Sequence, residues 1–217
     1  MADHCSREGR SYAHPEVLRY VERVHAPHDD VLAQAFDAPE RLGMPAIQVG
    51  PSEGRLLQLL LRLIGAKRVV EVGTLAGYSA ICMARALPEE GRLWTIESDE
   101  AHHRAAVANI AAAGLAEIIT CVQGSGVAEL ERIAREGPFD ALFIDADKAN
   151  YDRYGEWAAR HVRRGGLLLG DNAFLFGRLL EASDEAAAMR RFHEQAAVHF
   201  HTVCVPTPDG LLLGMKR

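Results

Sequence analysis

Acidic and amide residues follow two apolar segments of this chain, in positions where they could act together. The apolar run 141–144 is followed by Asp145, and the run 167–170 is followed by Asp171 and Asn172. If these runs are neighbouring parallel strands, the three side chains meet at the carboxyl edge of one sheet, where ligands bind. Such a set of hard oxygen ligands suits Mg2+, with Mn2+ or Ca2+ as alternatives, whereas Zn2+ more often takes His or Cys.

A lysine stands three residues after the first of these carboxylates. Lys148 follows Asp145 in the sequence Asp-Ala-Asp-Lys. Partial burial beside a metal ion disfavours an ammonium group, and a neutral amine can take a proton from a phenolic hydroxyl. We therefore predict that Lys148 and Asp145 are catalytic. The alternative is a solvated lysine at the start of a helix.

A loop rich in small residues follows the first apolar run, at 71–79, with the sequence Glu-Val-Gly-Thr-Leu-Ala-Gly-Tyr-Ser. Small residues let the backbone turn sharply and approach a ligand above a strand end. A dinucleotide fingerprint would need glycine in place of Leu75 and Tyr78, so pyrophosphate binding is poorly supported. Glu71 suits a cofactor with a cationic amino acid, and Glu97 suits the hydroxyls of a ribose. The pattern predicts a nucleoside cofactor with a methionine-type tail.

The elements that must position these residues alternate between strand and helix, which predicts an α/β fold with a parallel sheet. Strands are predicted at 68–72, 93–96, 118–122, 141–144 and 167–170, with helices at 79–87, 100–113, 127–135 and 151–163. Three helices precede them, at 15–25, 30–41 and 52–64, the last with Ser52 as its N-cap. A helix at 184–197 is followed by strands 200–205 and 211–215, joined by a Pro-Asp-Gly turn that predicts an antiparallel edge hairpin.

Composition narrows the class of protein. The 217 residues carry a formal net charge of −6, and no basic stripe is evident, which disfavours a nucleic-acid partner. No apolar run is long enough to span a bilayer, and the first residues lack a secretory signal. The four cysteines, at 5, 82, 121 and 204, are predicted to be reduced thiols in a cytoplasmic protein. His199 and His201 are predicted to lie on one face of a strand, and ordinary packing is favoured over the binding of a metal ion by the two histidines.

The motifs resemble those of the cation-dependent O-methyltransferases of the catechol and caffeoyl-CoA type, here as a bacterial-like member. The resemblance runs from about residue 45 to the C-terminus. It is carried by the loop 71–79, by Phe-Ile-Asp-Ala-Asp-Lys at 143–148, by Gly-Gly-(x)3-Gly-Asp-Asn at 165–172 and by Pro-(x)2-Asp-Gly-Leu-(x)4-Lys-Arg at 206–217. These motifs occur here in family order.

The resemblance implies a Rossmann-like S-adenosylmethionine-dependent methyltransferase fold: a seven-stranded, mostly parallel sheet with an antiparallel edge hairpin and helices on both faces. It implies one methyltransferase domain over 1–217, with N-terminal helices in 1–65 covering the site and a core in 66–217. It also implies that Asp145, Asp171 and Asn172 bind the metal and that Lys148 is the catalytic lysine. The implied cofactor contacts are Val49, Gly50, Glu71, Gly73, Thr74, Ser79, Glu97 and Asp145, with Ser125 and Gly126 flanking the adenine.

The implied reaction is methylation of one hydroxyl of a catechol-type small molecule by a homodimeric enzyme. Two departures from the family limit what can be carried over: Gly124-Ser125-Gly126 differs from the usual sequence beside the adenine, and Ala146 and Asp147 replace the aromatic residues of the animal catechol enzyme. The segments 42–47 and 173–178 are candidates for covering a flat substrate. The alternatives are a metal-independent methyltransferase of RNA or protein, and a nicotinamide-binding or non-catalytic Rossmann-like module.

Overall fold

A computed structural model describes residues 13–217, so the predictions on the first twelve residues, including Cys5, lie outside the described residues. Within residues 13–217, no helix has the length and apolar character needed to cross a membrane. The helices are α1 (Pro15–His25), α2 (Asp30–Arg41), α3 (Pro51–Leu63), α4 (Tyr78–Ala84), α5 (Glu100–Ala112), α6 (Gly126–Ile133), α7 (Tyr151–His161) and α8 (Asp184–His199). The strands are β1 (Arg68–Val72), β2 (Arg92–Glu97), β3 (Ile119–Gln123), β4 (Phe139–Ile144), β5 (Val162–Gly170), β6 (Phe200–Val205) and β7 (Leu211–Lys216).

The seven strands form one sheet in the order β3-β2-β1-β4-β5-β7-β6. The first five strands in this order are parallel, and β7 pairs antiparallel with both β5 and β6. The predicted fold class, with its antiparallel edge hairpin, is therefore confirmed. Between β1 and β4 the strand order changes direction, and a crevice opens outside the carboxyl ends of the strands at such a point.

Helices cover both faces of the sheet because successive strand residues point to opposite sides. In β1, Val70 and Val72 belong to a core that also contains residues of α6, α7 and α8, such as Trp157. Val69 belongs to a second core, which is shared with residues of α2, α3, α4 and α5, such as Leu61. Strands that are buried on both faces read as continuous apolar runs, which explains why the central strands were recognisable in the sequence.

The start of α3 differs from the prediction. Its N-cap is Gly50 rather than Ser52, and Pro51 occupies the first helical turn. The Glu53 carboxylate accepts a hydrogen bond of 2.9 Å from the backbone N–H of Gly50. Proline needs no hydrogen-bond partner for its nitrogen at this position, and Glu53 satisfies the neighbouring N–H, so the helix begins before the serine.

Two further boundaries were wrong. The helix predicted to reach Arg163 ends at His161, because Val162 already pairs with Phe139 of β4 and so begins β5. His199 is the last residue of α8, whereas His201 lies in β6, so the two histidines do not share a strand face. The remaining element boundaries lie within a few residues of the predicted ones.

The N-terminal helices are tied to the loop that follows β1. Nε2 of His28, between α1 and α2, lies 2.8 Å from the Tyr78 hydroxyl, and the Phe36 ring packs edge-on against the Tyr78 ring. The Gln48 amide donates to the Phe36 carbonyl at 2.8 Å, which fixes the segment that leads into α3. These contacts bring residues 47–49 to the crevice at the carboxyl edge of the sheet.

Candidate active site

The register of the sheet brings together residues that are far apart in sequence. Ile96, Val72, Ile144 and Gly170 are matched across β2, β1, β4 and β5. The residues that follow them, Glu97, Gly73, Asp145 and Asp171, therefore form a row at the carboxyl edge. Backbone hydrogen bonds continue the pairing one residue further, since the N–H groups of the last three donate to Ile96, Val72 and Ile144 at 2.9 to 3.0 Å.

Gly73 permits a close approach between the ends of β1 and β4. Its φ is +94°, a backbone conformation that side-chain-bearing residues rarely adopt. A Cβ atom at this position would lie 1.9 Å from the Asp145 carbonyl oxygen. Any other residue would push the loop after β1 away from Asp145, so glycine is required here by both φ and space.

A cavity of about 670 Å³ opens above this row. That volume falls within the range of small-molecule and cofactor sites. Most of the predicted site residues line it: Val49, Gly73, Thr74, Ser79, Glu97, Ser125, Gly126, Asp145, Lys148 and Asn172. Gly50, Glu71 and Asp171 lie outside the cavity wall, and the last two are buried beneath it.

Two carboxyl groups follow the neighbouring strands β4 and β5: Asp171 is buried, and Asp145 is partly buried and lines the cavity. Burial, together with the negative charges of Asp145 and Glu53, raises the pKa of Asp171 to about 7. Burial also raises the pKa of Asp145, while the Lys148 ammonium opposes that shift. A cation bound between the two carboxylates would offset their repulsion, so the pair fits a metal site electrostatically.

The third predicted oxygen ligand belongs to Asn172. Its φ of +53° lies in the left-handed region, which asparagine tolerates better than most residues, and its side chain lines the cavity. Within residues 13–217, no three His, Cys, Asp or Glu side chains are grouped to hold a metal. The candidate metal site therefore depends on the carboxamide oxygen of Asn172 in addition to the two carboxylates.

Lys148 is held against the carboxylates by a tyrosine. Its Nζ lies 3.3 Å from Asp145 Oδ1 and 2.9 Å from the Tyr151 hydroxyl. That hydroxyl donates to the Asp171 carbonyl at 2.9 Å and lies 3.2 Å from the Ile144 carbonyl. Tyr151 thus connects the ends of β4 and β5 to the lysine. The sequence analysis missed Tyr151, although its position three residues after Lys148 places both on one helical face.

The profile of the O-methyltransferase family matches residues 23–217 of the chain. The chain belongs to this family. A catechol O-methyltransferase of Niastella koreensis is 43% identical over 213 residues, which cover 93% of this chain and 96% of the relative. A catechol O-methyltransferase of Mycobacterium tuberculosis is 38% identical over 175 residues, covering 81% and 79%. The crystal structure of the Bacillus cereus O-methyltransferase in complex with SAH is 34% identical, with a TM-score of 0.88, and the match covers 93% and 97%.

These matches confirm the predicted O-methyltransferase family and its enzymatic class, and they argue against the nicotinamide-binding alternative. The metal and the roles of individual residues in this O-methyltransferase stay predictions.

Glu97 in this O-methyltransferase holds the backbone of the glycine loop. Its Oε2 accepts hydrogen bonds from the N–H groups of Thr74 at 3.2 Å and Leu75 at 2.8 Å, and its Oε1 accepts from Asp99 at 2.9 Å. A carboxylate oxygen can accept more than one hydrogen bond, so capacity for ribose hydroxyls remains. His102, in α5, also lines the cavity, and its Nδ1 lies 3.8 Å from Glu97 Oε1.

Tyr154 was also missed by the sequence analysis. Its hydroxyl donates to Asp147 Oδ1 at 2.6 Å, and both residues line the cavity next to Gly126. A Cβ at Gly126 would lie 2.7 Å from the Tyr154 hydroxyl oxygen and 2.6 Å from Val72. The predicted adenine-flanking position therefore needs a glycine for space. The sequence carries no signal for this role, because Lys148 lies in a short turn before α7 and Tyr154 lies in α7 itself.

The two segments predicted to cover a substrate contribute unequally. Ile47 and Phe176 line the cavity and are 70% and 61% exposed, so they are free to contact a ligand. Ala173 and Leu175 are fully buried in the core, and Phe174 packs against Gly210. The covering role therefore stays a prediction for Ile47 and Phe176, while Ala173 and Leu175 pack into the core and Phe174 lies against the β6–β7 turn.

Glu71 lies fully buried under the glycine loop. The Ser79 hydroxyl donates to its Oε1 at 2.5 Å, and the Thr95 hydroxyl donates to its Oε2 at 2.6 Å. Burial, together with the nearby Asp145 and Glu97 carboxylates, raises the pKa of Glu71 to about 8, against the opposing effect of the hydrogen bonds from Ser79 and Thr95. In this arrangement Glu71 orients Ser79 toward the cavity, and a direct contact with a cofactor stays a prediction.

Replacing Glu71 with glutamine is expected to change how stability depends on pH. The pKa of Glu71 in the folded protein, about 8, lies above its ordinary value of 4.5, so the folded state binds more protons between these values. The wild type should then lose stability as pH rises from 5 to 8, by up to about 1.4 kcal/mol per pH unit. Glutamine carries no charge, so E71Q should lack this loss.

The measurement is urea unfolding of both proteins, without methyl donor, at several pH values from 5 to 8. The stability of E71Q relative to the wild type should increase with pH. Parallel pH profiles for the two proteins would show that Glu71 does not titrate in this range.

Proposed function

We propose that this O-methyltransferase transfers a methyl group from S-adenosylmethionine to one hydroxyl of a catechol-type small molecule. The reaction would require a divalent metal ion, for which Mg2+ is the first candidate. The observation that carries the proposal is the pair of carboxylates at neighbouring strand ends, the partly buried Asp145 and the buried Asp171, next to a cavity that the glycine loop also lines. A single-site nucleotide-binding module would not need such a pair. The names of the two catechol O-methyltransferase relatives support the substrate class.

The cofactor would lie along the ends of β2, β1 and β4. Glu97 would accept hydrogen bonds from the ribose hydroxyls, and Ser125 and Gly126 would flank the adenine. Gly73 has no side chain, so the backbone there is accessible to the methionine part of the cofactor. Ser79, which Glu71 orients, would bind near the charged groups of that part. The SAH-bound Bacillus cereus relative supports a cofactor of this type. Val49, Gly50 and Thr74 complete the proposed cofactor contacts.

The acceptor would lie between the end of β5 and the exposed residues Ile47 and Phe176. Asp145, Asp171 and Asn172 would hold the metal, since they provide two carboxylates and one carboxamide oxygen at one place. When bound there, the metal supplies Lewis-acid polarisation of the acceptor hydroxyls. Magnesium suits these oxygen ligands because it commonly takes few protein ligands, and Mn2+ or Ca2+ are alternatives.

Lys148 completes the reaction as the proton acceptor. Its Nζ lies 3.3 Å from Asp145, so a hydroxyl held at Asp145 is within its reach. Lys148 acts after its ammonium group has lost a proton to solvent: the hydroxyl proton moves to the neutral amine, the oxygen forms a bond to the methyl carbon, and the bond from sulfur to that carbon breaks with its electron pair left on sulfur. The two reactants occupy adjacent parts of one cavity, so much of the rate enhancement would come from positioning, without a covalent enzyme intermediate.

The test is transfer of a labelled methyl group from S-adenosylmethionine to caffeate and other 3,4-dihydroxyphenyl compounds, with Mg2+ and with EDTA. Methyl transfer that requires Mg2+ and is lost in EDTA is the expected result. Transfer that survives EDTA would contradict the metal, and it would favour the metal-independent alternative. Matched monohydroxyphenyl compounds are the control, because they lack the second hydroxyl and should not be methylated.

A homodimer and a cytoplasmic location are also proposed. The exposed side of α1 carries Val17, Tyr20 and Val24, which are apolar side chains that a second copy would cover. Light scattering coupled to gel filtration decides the oligomeric state.

The cysteines support the proposed cytoplasmic location. Cys82, Cys121 and Cys204 are free thiols, as is usual for proteins of a reducing compartment.

A further inference from the structure

The loop at 172–177, which follows the candidate metal ligand Asp171, has an unusual backbone. Asn172, Leu175 and Phe176 have φ values of 53°, 52° and 54°, in the left-handed region. Residues with a Cβ adopt this region at a cost, and leucine and phenylalanine do so less readily than asparagine. Two of these three residues, Asn172 and Phe176, line the cavity. The surrounding structure must therefore hold this backbone in place.

Contacts from the β6–β7 turn hold the loop. The Asp209 carboxylate accepts two hydrogen bonds from the Phe176 N–H, at 2.8 Å to Oδ1 and 3.1 Å to Oδ2. The backbone carbonyl of Asp209 accepts from Phe174 at 2.9 Å, and the Gly210 carbonyl accepts from Ala173 at 2.8 Å. Three residues of the loop, Ala173, Phe174 and Phe176, are thus joined to the turn, and the Asp209 side chain holds the one that lines the cavity, Phe176.

Gly210 lets the turn approach the loop closely. Its φ is +75°, and a Cβ there would lie 2.9 Å from atoms of the Phe174 ring. The Phe174 ring therefore packs against the turn, while Leu175 is buried in the core and Phe176 lines the cavity. The loop follows β5, which β4 separates from β1 in the sheet, so the contacts of the turn affect the proposed acceptor side of the cavity.

We propose that Asp209 is a positioning residue for acceptor binding: its carboxylate fixes the Phe176 backbone and so holds the Phe176 ring over the acceptor and the Asn172 carboxamide at the cavity. This inference rests on the proposed function for the identity of the acceptor. Asp209 does not touch the reacting atoms. Its effect should therefore fall on the KM for the acceptor and leave cofactor binding unchanged.

The experiment compares Asp209→Ala with Asp209→Asn, whose side-chain oxygen can still accept a hydrogen bond from Phe176. With caffeate and Mg2+, D209A should raise the acceptor KM by about tenfold or more, and the KM of D209N should return most of the way to the wild-type value. The dissociation constant for SAH should stay unchanged in both. Asp30→Ala, an exposed aspartate at the start of α2, is the matched control and should leave both quantities unchanged.

Trypsin cleavage after Arg178 reports on the loop without any acceptor. D209A should be cut faster there than the wild type and D30A, and D209N should be cut at an intermediate rate. An unchanged acceptor KM in D209A, or unchanged cleavage at Arg178, would overturn the inference. If the wild type transfers no methyl group to any catechol, the proposed function fails, and the cleavage rates still decide whether Asp209 holds the loop.

Discussion

Replacing Asp171 with alanine is expected to lower methyl transfer by on the order of 1000-fold while SAH binding stays within a few-fold of the wild type. A metal bound at an oxygen site stabilises developing negative charge by several kcal/mol, and each 1.4 kcal/mol changes a rate tenfold. Asp171 provides the buried carboxylate of the proposed metal site, and it lies outside the cavity wall that the proposed cofactor contacts form. The loss should therefore concern the metal and the acceptor.

The measurement includes a readout that is independent of turnover. Binding of Mn2+, followed by the loss of the free-ion signal in electron paramagnetic resonance, should weaken in both D171A and D171N. The second variant keeps the shape of the side chain and removes its charge, so it separates metal binding from packing. Asp184→Ala changes an exposed aspartate at the start of α8 and should bind Mn2+ normally. Normal Mn2+ binding by D171N would remove Asp171 from the proposed metal site.

The sequence alone was sufficient to predict those parts of the site that depend on the topology of the sheet. Apolar runs marked the parallel strands, and the polar residue directly after each run marked the carboxyl edge. Because the register of parallel strands aligns these ends, Asp145 and Asp171 had to become neighbours once β4 and β5 were paired. The same argument placed Glu97 beside the glycine loop, where its carboxylate now accepts two backbone N–H groups.

The parts that could not be predicted depend on tertiary contacts. Nothing local to Glu71 shows that it is fully buried, because its burial comes from the packing of the glycine loop and β2 above it. Tyr151 belongs to no recognisable sequence motif. Its role arises because the fold brings the ends of β4 and β5 next to Lys148. The left-handed backbone of Leu175 and Phe176 contradicts their local preferences, so it depends on tertiary contacts such as the hydrogen bond from the Phe176 N–H to Asp209, more than thirty residues later in the chain.

Replacing Lys148 with methionine is expected to lower kcat by a factor of about 100 to 10,000, the range for loss of a general base. Methionine keeps much of the apolar stem that packs on the Tyr151 ring, where Nζ now lies 4.8 Å from the ring centre. The fold and the SAH affinity should therefore be preserved. Arginine at the same position keeps the positive charge beside Asp145 and does not take up a proton, so K148R should be as slow as K148M.

Single-turnover rates with saturating S-adenosylmethionine, caffeate and Mg2+ measure this effect. Lys67→Met makes the same chemical change at an exposed lysine that pairs with Glu90, far from the cavity, and should keep wild-type rates. If K148R is active and K148M is not, the positive charge is what the reaction needs, and proton transfer to Lys148 is excluded. If both variants are slow while K67M is unaffected, the amine itself is required, because charge, packing and cofactor affinity are then all accounted for.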